Sequence, residues 1–177
     1  MKNDFSVGPC PSMIKSLYRM VSNSANNSKE FDRWNGKKKV VHTADTSDVY
    51  FYEREVWWVY LGANVGFEQD GTGEEFERPV LIIKKFNPNV FIGVPLSTTE
   101  KTGKYYFSIG EVESKHATAI LSQIRLLDAK RLINRAGIID SNTFDALVLA
   151  LVDANFRNLG KVPPRPLRGG GEPFGRL

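Results

Sequence analysis

One arginine stands where its side chain could meet a negatively charged oxygen. Arg78 precedes Pro79, and the residue before a proline is disfavoured from helical backbone, so Arg78 is expected to be extended. The apolar run at residues 80–83 predicts a buried strand, which a proline without an N–H can begin. Because a guanidinium can bind two phosphate or carboxylate oxygens at once, the sequence predicts an anion-binding arginine at the mouth of a strand.

Hydroxyl groups and a carboxylate complete a candidate set around Arg78. Ser97 and Thr98 stand where the next predicted strand ends. If that strand pairs with the strand after Arg78 as a hairpin, its far end brings Ser97 within side-chain reach of the arginine. Glu68 lies ten residues before Arg78, across a glycine-containing loop. Folding that loop back would bring the carboxylate and the guanidinium into one pocket.

These three kinds of side chain together suit a phosphodiester. The arginine would clamp phosphate oxygens, the hydroxyl would donate a hydrogen bond, and the carboxylate would orient or deprotonate a reacting group. The competing interpretation is an exposed Arg–Glu ion pair, which contributes little to stability, beside hydroxyls that only shape a turn.

Other kinds of chemistry find little support. His42 and His116 are far apart and in no ligand spacing, which favours surface or partly packed roles. Gly71 and Gly73 precede a strand rather than a helix, so a nucleotide-binding loop is not indicated. A single cysteine, Cys10, excludes an intramolecular disulfide and a cysteine zinc site. We expect no metal and no cofactor, and an enzyme without a histidine base.

Charge is distributed unevenly along the 177 residues. Residues 1–48 carry eight Lys/Arg and five Asp/Glu, and residues 157–177 carry five Lys/Arg and one Asp/Glu, so both ends are basic. Residues 49–156 carry eleven Lys/Arg and fourteen Asp/Glu, so the middle is mildly acidic. A nucleic acid would therefore need a local site. The chain shows neither a signal-peptide pattern nor an apolar run of about 18 residues. We expect a cytoplasmic protein that does not cross a membrane.

Short strands dominate the predicted structure. These strands are predicted from three signals: alternation of apolar and polar residues, enrichment in β-branched and aromatic residues, and turn residues between the segments. Since no helix is predicted between them, this spacing favours an antiparallel barrel or sandwich. The strands are predicted at 53–61, 78–86, 90–97, 105–110, 118–127 and 131–139.

An N-terminal extension precedes this domain. Residues 1–48 are expected to be partly helical or disordered, and residues 49–160 form the main domain. Ser28 is the predicted N-cap of a short helix on which Phe31 and Trp34 share one face. We expect both aromatic side chains to dock this helix on the main domain.

A longer helix follows the strands. Its N-cap is predicted at Asp140 or the next residue, and Gly160 is predicted to end it. Val152 and Phe156 widen its apolar stripe, so burial on more than one side is expected. Residues 161–177 are rich in proline and glycine and predict a disordered tail.

Four segments in sequence carry a family resemblance: "GANVGFEQDG", "FERPVLIIKKF", "GVPLSTTEK" and "ILSQIRLLDAKRL". Together they resemble the PemK/MazF family of toxins from bacterial type II toxin–antitoxin systems, from about Glu53 to Phe156. The preceding sequence resembles the longer branch of that family, which has an N-terminal extension. The resemblance implies a mainly β protein, an SH3-like small barrel with a C-terminal helix, that acts as a homodimer.

The resemblance also implies an activity and partners. The family's members are metal-independent endoribonucleases that cleave single-stranded RNA, chiefly mRNA. The substrate's 2′-hydroxyl attacks, which leaves a 2′,3′-cyclic phosphate and a 5′-hydroxyl. The implied protein partner is a cognate antitoxin, and DNA would be contacted only through the antitoxin complex.

Site residues follow from the same resemblance. Arg78 matches the arginine of the family's Arg-Pro motif, the phosphate clamp and proton donor. Ser97 stands where the family usually has threonine, and Thr98 is the alternative hydroxyl. Glu68 falls in the Gly-x-Glu-Gln motif as a base or orienting group. The implied RNA-binding residues are Gln69, Lys101, Gln123 and Arg125, and the last two are expected near the substrate groove or the dimer interface.

One departure from the family pattern limits this transfer. Some members carry a charged pair on the strand that here reads "ILSQIR". The matching positions are Ile120 and Ser122, which are uncharged, so acid–base roles assigned there do not transfer.

Two other functions are compatible with the same fold. One is a non-catalytic toxin that binds and poisons DNA gyrase, and the other is an inactive RNA-binding or antitoxin-binding barrel. A fold alone does not choose among them. The set of Arg78, Ser97 and Glu68 favours the nuclease.

Overall fold

The structure is a computed structural model that describes residues 29–46 and 48–157. Among these residues it contains seven strands and two α-helices, and neither helix is long and apolar enough to span a membrane. The predicted N-cap Ser28, the predicted helix end at Gly160 and the tail at 161–177 lie outside the described residues. The elements are α1 (Phe31–His42), β1 (Glu55–Tyr60), β2 (Glu77–Lys85), β3 (Val90–Ser97), β4 (Tyr106–Val112), β5 (Lys115–Ile120), β6 (Arg125–Asp128), β7 (Leu132–Ile138) and α2 (Ser141–Phe156).

The seven strands form one curled antiparallel sheet. The order is β4-β5-β3-β2-β1-β7, and β6 pairs with the first half of β3. The sheet closes into a half-barrel flanked by the two helices. The predicted fold class, mainly β and barrel-like with an N-terminal and a C-terminal helix, is confirmed.

The segment predicted as one strand at 118–127 is two strands separated by a 3-10 turn at Leu121–Gln123. β3 pairs with this segment at Leu96↔Ala119 and again at Gly93↔Arg125. An advance of six residues along the segment therefore matches an advance of three along β3. A continuous strand ladder cannot pair these unequal numbers of residues. The turn takes up the extra residues while it buries Leu121.

Two clusters of buried side chains lie on opposite faces of the sheet. One joins the sheet to α2 and contains Val56, Leu81, Leu147 and Leu151. The other surrounds Phe51, whose ring contacts that of a second phenylalanine. Burial of each such side chain contributes roughly 1.5–3 kcal/mol, which holds the strands in the register that positions the site.

Helix α2 buries one side only. Leu147 and Leu151 face the sheet at 0% and 4% exposure, whereas Val152 and Phe156 are 49% and 50% exposed. The expectation of burial on more than one side is therefore wrong for the single chain, because the sheet covers only one face of the helix. Asp140 caps the helix as predicted, with its carboxylate accepting from the Thr143 N–H at 2.9 Å.

Helix α1 docks through one aromatic side chain. Trp34 is 4% exposed and packs on Phe76, with ring centroids 5.6 Å apart. It also packs on Gly62, whose φ is +94° and where an added Cβ would lie 2.2 Å from the indole. Phe31 is 47% exposed, so the expectation that it shares the docking is wrong. The helix begins at Phe31, and Glu30 in the N-cap position makes no capping hydrogen bond.

Candidate active site

The β2–β3 hairpin brings Arg78 to the end of β3. Val80 pairs with Pro95, and the same register continued by two residues places Arg78 opposite Ser97. The guanidinium Nη1 of Arg78 donates to the carbonyl oxygen of Leu96 at 3.0 Å. The predicted approach of the arginine to Ser97 through a hairpin is therefore confirmed.

Backbone oxygen atoms hold the Arg78 side chain. Its Nε donates to the carbonyl oxygen of Asp70, in the loop before β2, and Nη1 donates to Leu96 in β3. Burial lowers the pKa of the Arg78 guanidinium below its ordinary range, and the negative charge of Asp70 partly offsets this effect. The arginine is thus a partly desolvated cation with a fixed orientation.

A cavity of about 280 Å³ opens beside this arginine. It joins side chains from the end of β3, from the β4–β5 hairpin and from β1. Cationic, anionic, hydroxyl and aromatic groups all contribute to its wall. Its lining includes Trp58, Arg78, Ser97, Thr98, Glu113, Lys115 and His116.

Both candidate hydroxyl groups line this cavity. Ser97 is partly buried, and its Oγ accepts a hydrogen bond from the Thr99 N–H at 3.2 Å. Thr98 is exposed. The serine is the more fixed of the two, because the turn that ends β3 already orients its oxygen.

Glu68 does not share the cavity with Arg78. Its Oε2 accepts from the Val65 N–H at 3.4 Å, and the side chain lines a separate cavity with Trp34 and Lys38. The expectation that the loop folds back to join this carboxylate to the arginine is wrong. The Asp70 carboxylate accepts from the Asn64 N–H at 2.6 Å and closes the loop locally. The backbone carbonyl of Asp70, rather than the Glu68 carboxylate, therefore reaches Arg78.

Three of the four predicted RNA-binding residues meet at the base of the loop. The Gln69 N–H donates to Gln123 Oε1 at 3.0 Å, and Gln123 Nε2 donates to the Phe67 carbonyl oxygen at 3.3 Å. Arg125 Nη2 donates to Asn64 Oδ1 at 3.4 Å, while its Nη1 is buried and finds no partner within the described residues. The side chains of Gln123 and Arg125 therefore hold the loop that contains Gln69.

Lys101 lies apart from this group. Its Nζ stands 5.4 Å from the centre of the Tyr106 ring, a cation–π contact in the segment after β3. Lys101, Gln69, Gln123 and Arg125 are all absent from the lining of the Arg78 cavity. Contact of these four residues with RNA stays a prediction.

The cavity contains a histidine that the sequence interpretation set aside. His116 Nε2 lies 3.1 Å from Thr118 Oγ1, and Thr118 pairs directly with Ser97 across β5 and β3. The spacing of two residues puts His116 and Thr118 on the same face of β5. That spacing is visible in the sequence, but its meaning depends on a pairing of β5 with β3 that no local signal announces.

The β4–β5 hairpin brings one more missed residue to the cavity. Glu113 and Ser114 form its tip with φ of +49° and +60°, a conformation that non-glycine residues rarely adopt. The Glu113 carboxylate accepts from the Trp58 indole N–H at 3.2 Å. This bond ties the hairpin tip to β1 at the edge of the cavity.

A curled half-barrel with an arginine and hydroxyl groups at the end of its β2–β3 hairpin is the architecture expected of the toxins named above. Residues 52–154 match the model of the family described as "PemK-like, MazF-like toxin of type II toxin-antitoxin system". The match covers more than half of the chain, and the chain therefore belongs to this toxin family.

Solved structures resemble the chain at low identity. The Mycobacterium tuberculosis toxin MazF-mt6 is 15% identical over 57% of this chain and 95% of that one, with a TM-score of 0.45. MazF from Deinococcus radiodurans is 14% identical over 60% of this chain and 96% of that one, with a TM-score of 0.48. A mycobacterial endoribonuclease in complex with its cognate antitoxin is 18% identical over 65% of this chain and 100% of that one, with a TM-score of 0.46. The chain has no significant match among curated proteins.

Proposed function

We propose that this toxin is a metal-independent endoribonuclease that cleaves single-stranded RNA, chiefly mRNA. The observation that carries the proposal is the shared cavity of Arg78, Ser97 and Thr98. A partly buried guanidinium that shares a cavity with two hydroxyl groups is suited to bind a phosphodiester, because negative charge develops on the phosphate oxygens in the transition state. Membership of the toxin family supports the same activity.

Arg78 keeps donors available for a phosphate. Its Nε and one hydrogen of Nη1 are engaged by Asp70 and Leu96, and Nη2 has no partner within the described residues. The remaining N–H groups of Nη1 and Nη2 form the fork that binds two oxygens of one phosphate. Burial, which lowers the pKa of this guanidinium, also makes it a better proton donor to a departing oxygen than a solvated arginine.

The hydroxyl groups bind the same phosphate from β3. Ser97 is fixed by the Thr99 N–H, so its own O–H is available as a donor. Thr98 stands next to it and lines the same cavity. Attack of the substrate's 2′-hydroxyl on phosphorus would then expel the 5′ oxygen and leave a 2′,3′-cyclic phosphate and a 5′-hydroxyl.

We propose a homodimer and a cognate antitoxin as protein partners, with DNA contacted only through the antitoxin complex. Family membership supports this assembly, since the family is defined by toxin–antitoxin systems. We divide the chain into an extension at 1–48, the toxin domain at 49–160 and a tail at 161–177. The match at 52–154 supports the middle unit.

The decisive experiment incubates the purified protein with a long RNA in EDTA and identifies the ends of the fragments. We expect cleavage with 2′,3′-cyclic phosphate and 5′-hydroxyl ends. An RNA with 2′-deoxyribose at the cleaved nucleotide is the matched control and should stay intact, because it lacks the attacking hydroxyl. Intact RNA together with inhibited DNA gyrase would instead support the non-catalytic toxin.

A further inference from the structure

We propose that His116 takes the proton from the substrate's 2′-hydroxyl. This inference rests on the proposed nuclease function and assigns the base within that site. Glu68, the carboxylate that the resemblance suggests, lines a different cavity. Arg78 is a cation and the hydroxyl groups of Ser97 and Thr98 are weak bases, so none of these three is suited to accept a proton.

His116 reaches the site through the sheet. β5 pairs with the end of β3 at Ser97↔Thr118, and His116 follows on the same face of β5 toward the β4–β5 tip. Its side chain lines the same cavity as Arg78 and Ser97. An RNA phosphate bound by the arginine would therefore lie in the cavity that the imidazole lines.

Thr118 fixes the imidazole. His116 Nε2 lies 3.1 Å from its Oγ1, and Thr118 is only 1% exposed. When Nε2 carries the proton and donates it to the threonine oxygen, Nδ1 is left as the acceptor. Within the described residues no side chain or backbone group occupies that nitrogen. The Thr118 hydroxyl can donate or accept, so this contact fixes the orientation of the ring. The tautomer protonated at Nε2 is the one that can act as a general base through Nδ1.

Charged groups surround the imidazole on several sides. Arg78, Lys115 and Glu113 line the cavity with it, and Glu111 is its cross-strand partner on β4. Any of these groups can change the pH dependence of cleavage. The test therefore combines a pH profile with matched variants and with chemical rescue.

The proton and electron movements of the proposed step balance. The 2′-hydroxyl proton passes to Nδ1 of neutral His116 while the 2′ oxygen forms a bond to phosphorus. The bond between phosphorus and the 5′ oxygen breaks, and that oxygen takes a proton from the Arg78 guanidinium. Solvent then removes the proton from the imidazolium and restores the one lost by the arginine.

The experiment measures single-turnover cleavage of a short RNA and, separately, binding of its uncleavable 2′-deoxy analogue. His116→Gln should slow cleavage by about 100-fold or more, the usual contribution of a general base, and should leave binding of the analogue within about threefold of wild type. His42→Gln is the matched control. This other histidine is exposed at the end of α1, and its variant should cleave at the wild-type rate.

Two further readouts separate proton transfer from a structural role. Wild-type cleavage should slow toward acid pH, because a general base acts only in its unprotonated form, and His116→Gln should lack that fall. Added imidazole should restore part of the rate of His116→Ala. If His116→Gln is poorly folded, Thr118→Val repeats the test, because it removes the hydrogen bond to Nε2 and should slow cleavage with binding intact.

The outcomes distinguish the two proposals. A folded His116→Gln that cleaves within about threefold of wild type overturns the role of His116 and leaves the nuclease function standing. Wild-type protein that leaves RNA intact overturns the nuclease function, and the role of His116 with it. Slow cleavage that imidazole does not restore, with a pH profile unchanged from wild type, would also overturn the assignment.

Discussion

The guanidinium of Arg78 donates a hydrogen bond to the carbonyl oxygen of Leu96 across 3.0 Å. This bond attaches an arginine of β2 to the residue that immediately precedes Ser97 on β3. Both the cation and the hydroxyl are thus placed by the backbone of one hairpin. Ordering of the arginine takes place during folding, so little reorganisation remains when a phosphate binds.

The identity of the active hydroxyl can be tested by paired variants. We expect Ser97→Ala to slow RNA cleavage more than Thr98→Ala, because the Thr99 N–H orients Ser97 whereas Thr98 is exposed. Each should slow cleavage less than Arg78→Ala, since a neighbouring hydroxyl remains. Single-turnover rates on one RNA measure the order. A larger effect of Thr98→Ala would move the role to the threonine.

Glu68 provides a direct test of the loop geometry. We expect Glu68→Gln to cleave RNA within about threefold of wild type, because the side chain lines the cavity beside Trp34 rather than the one beside Arg78. A loss of the 10²-fold or more that a general base contributes would show that the loop rearranges to bring Glu68 to the substrate. Single-turnover cleavage at saturating protein concentration makes the distinction.

The docking of α1 can be measured by stability. Trp34→Ala should lower the free energy of unfolding by roughly 3–5 kcal/mol, the cost of losing a buried aromatic side chain. Phe31→Ala is the matched control on the same helix, and its half-exposed ring should contribute much less. Urea denaturation followed by circular dichroism gives both values. A change below about 0.5 kcal/mol for Trp34→Ala would mean that α1 does not dock in solution.

Glu55 is a buried carboxylate whose bonds hold β1 in place. It is 4% exposed and accepts from the Tyr52 N–H, the Trp57 indole and Arg135 at 2.9, 2.9 and 3.0 Å. Glu55→Ala leaves these donors without their acceptor, and we expect it to lower the free energy of unfolding by roughly 3 kcal/mol.

The control for Glu55 is an exposed ion pair near the same end of β1 and β2. Lys84 contacts Glu53 at 2.8 Å, with both side chains well exposed. Lys84→Ala should cost less than about 1 kcal/mol. Equal effects of Glu55→Ala and Lys84→Ala in urea denaturation would show that burial does not strengthen the Glu55 bonds.

The parts of the site that depend on neighbouring segments could be predicted from the sequence. Arg78 and Ser97 belong to two consecutive strands joined by a short turn, so antiparallel pairing alone brings them together. Trp34 could be predicted for a similar reason, because a short helix with few apolar side chains is expected to bury the largest of them. These inferences need only the periodicity of a strand or helix and the chemistry of a turn.

The rest depends on contacts between distant segments. His116 comes to Ser97 only because β5 pairs with the end of β3, and the 3-10 turn after β5 fixes that pairing. The sequence does not place Glu68 correctly because the path of its loop is set by the Asn64–Asp70 hydrogen bond and by an ion pair between Asp70 and Lys29, which lies just before α1, at 2.9 Å. Neither contact leaves a periodic signal in the sequence.

The most direct test of the proposed active site is the single-turnover rate of RNA cleavage by Arg78→Ala in EDTA. We expect cleavage to slow by about 10²–10³-fold, as when a donor to a developing oxyanion is removed, with the circular dichroism spectrum of a folded protein retained. Arg78→Lys should recover only part of the rate, because an ammonium lacks the planar fork. Arg157→Ala, which removes an exposed arginine of an i,i+4 ion pair, should match wild type. A folded Arg78→Ala that cuts RNA at the wild-type rate would contradict the proposed site.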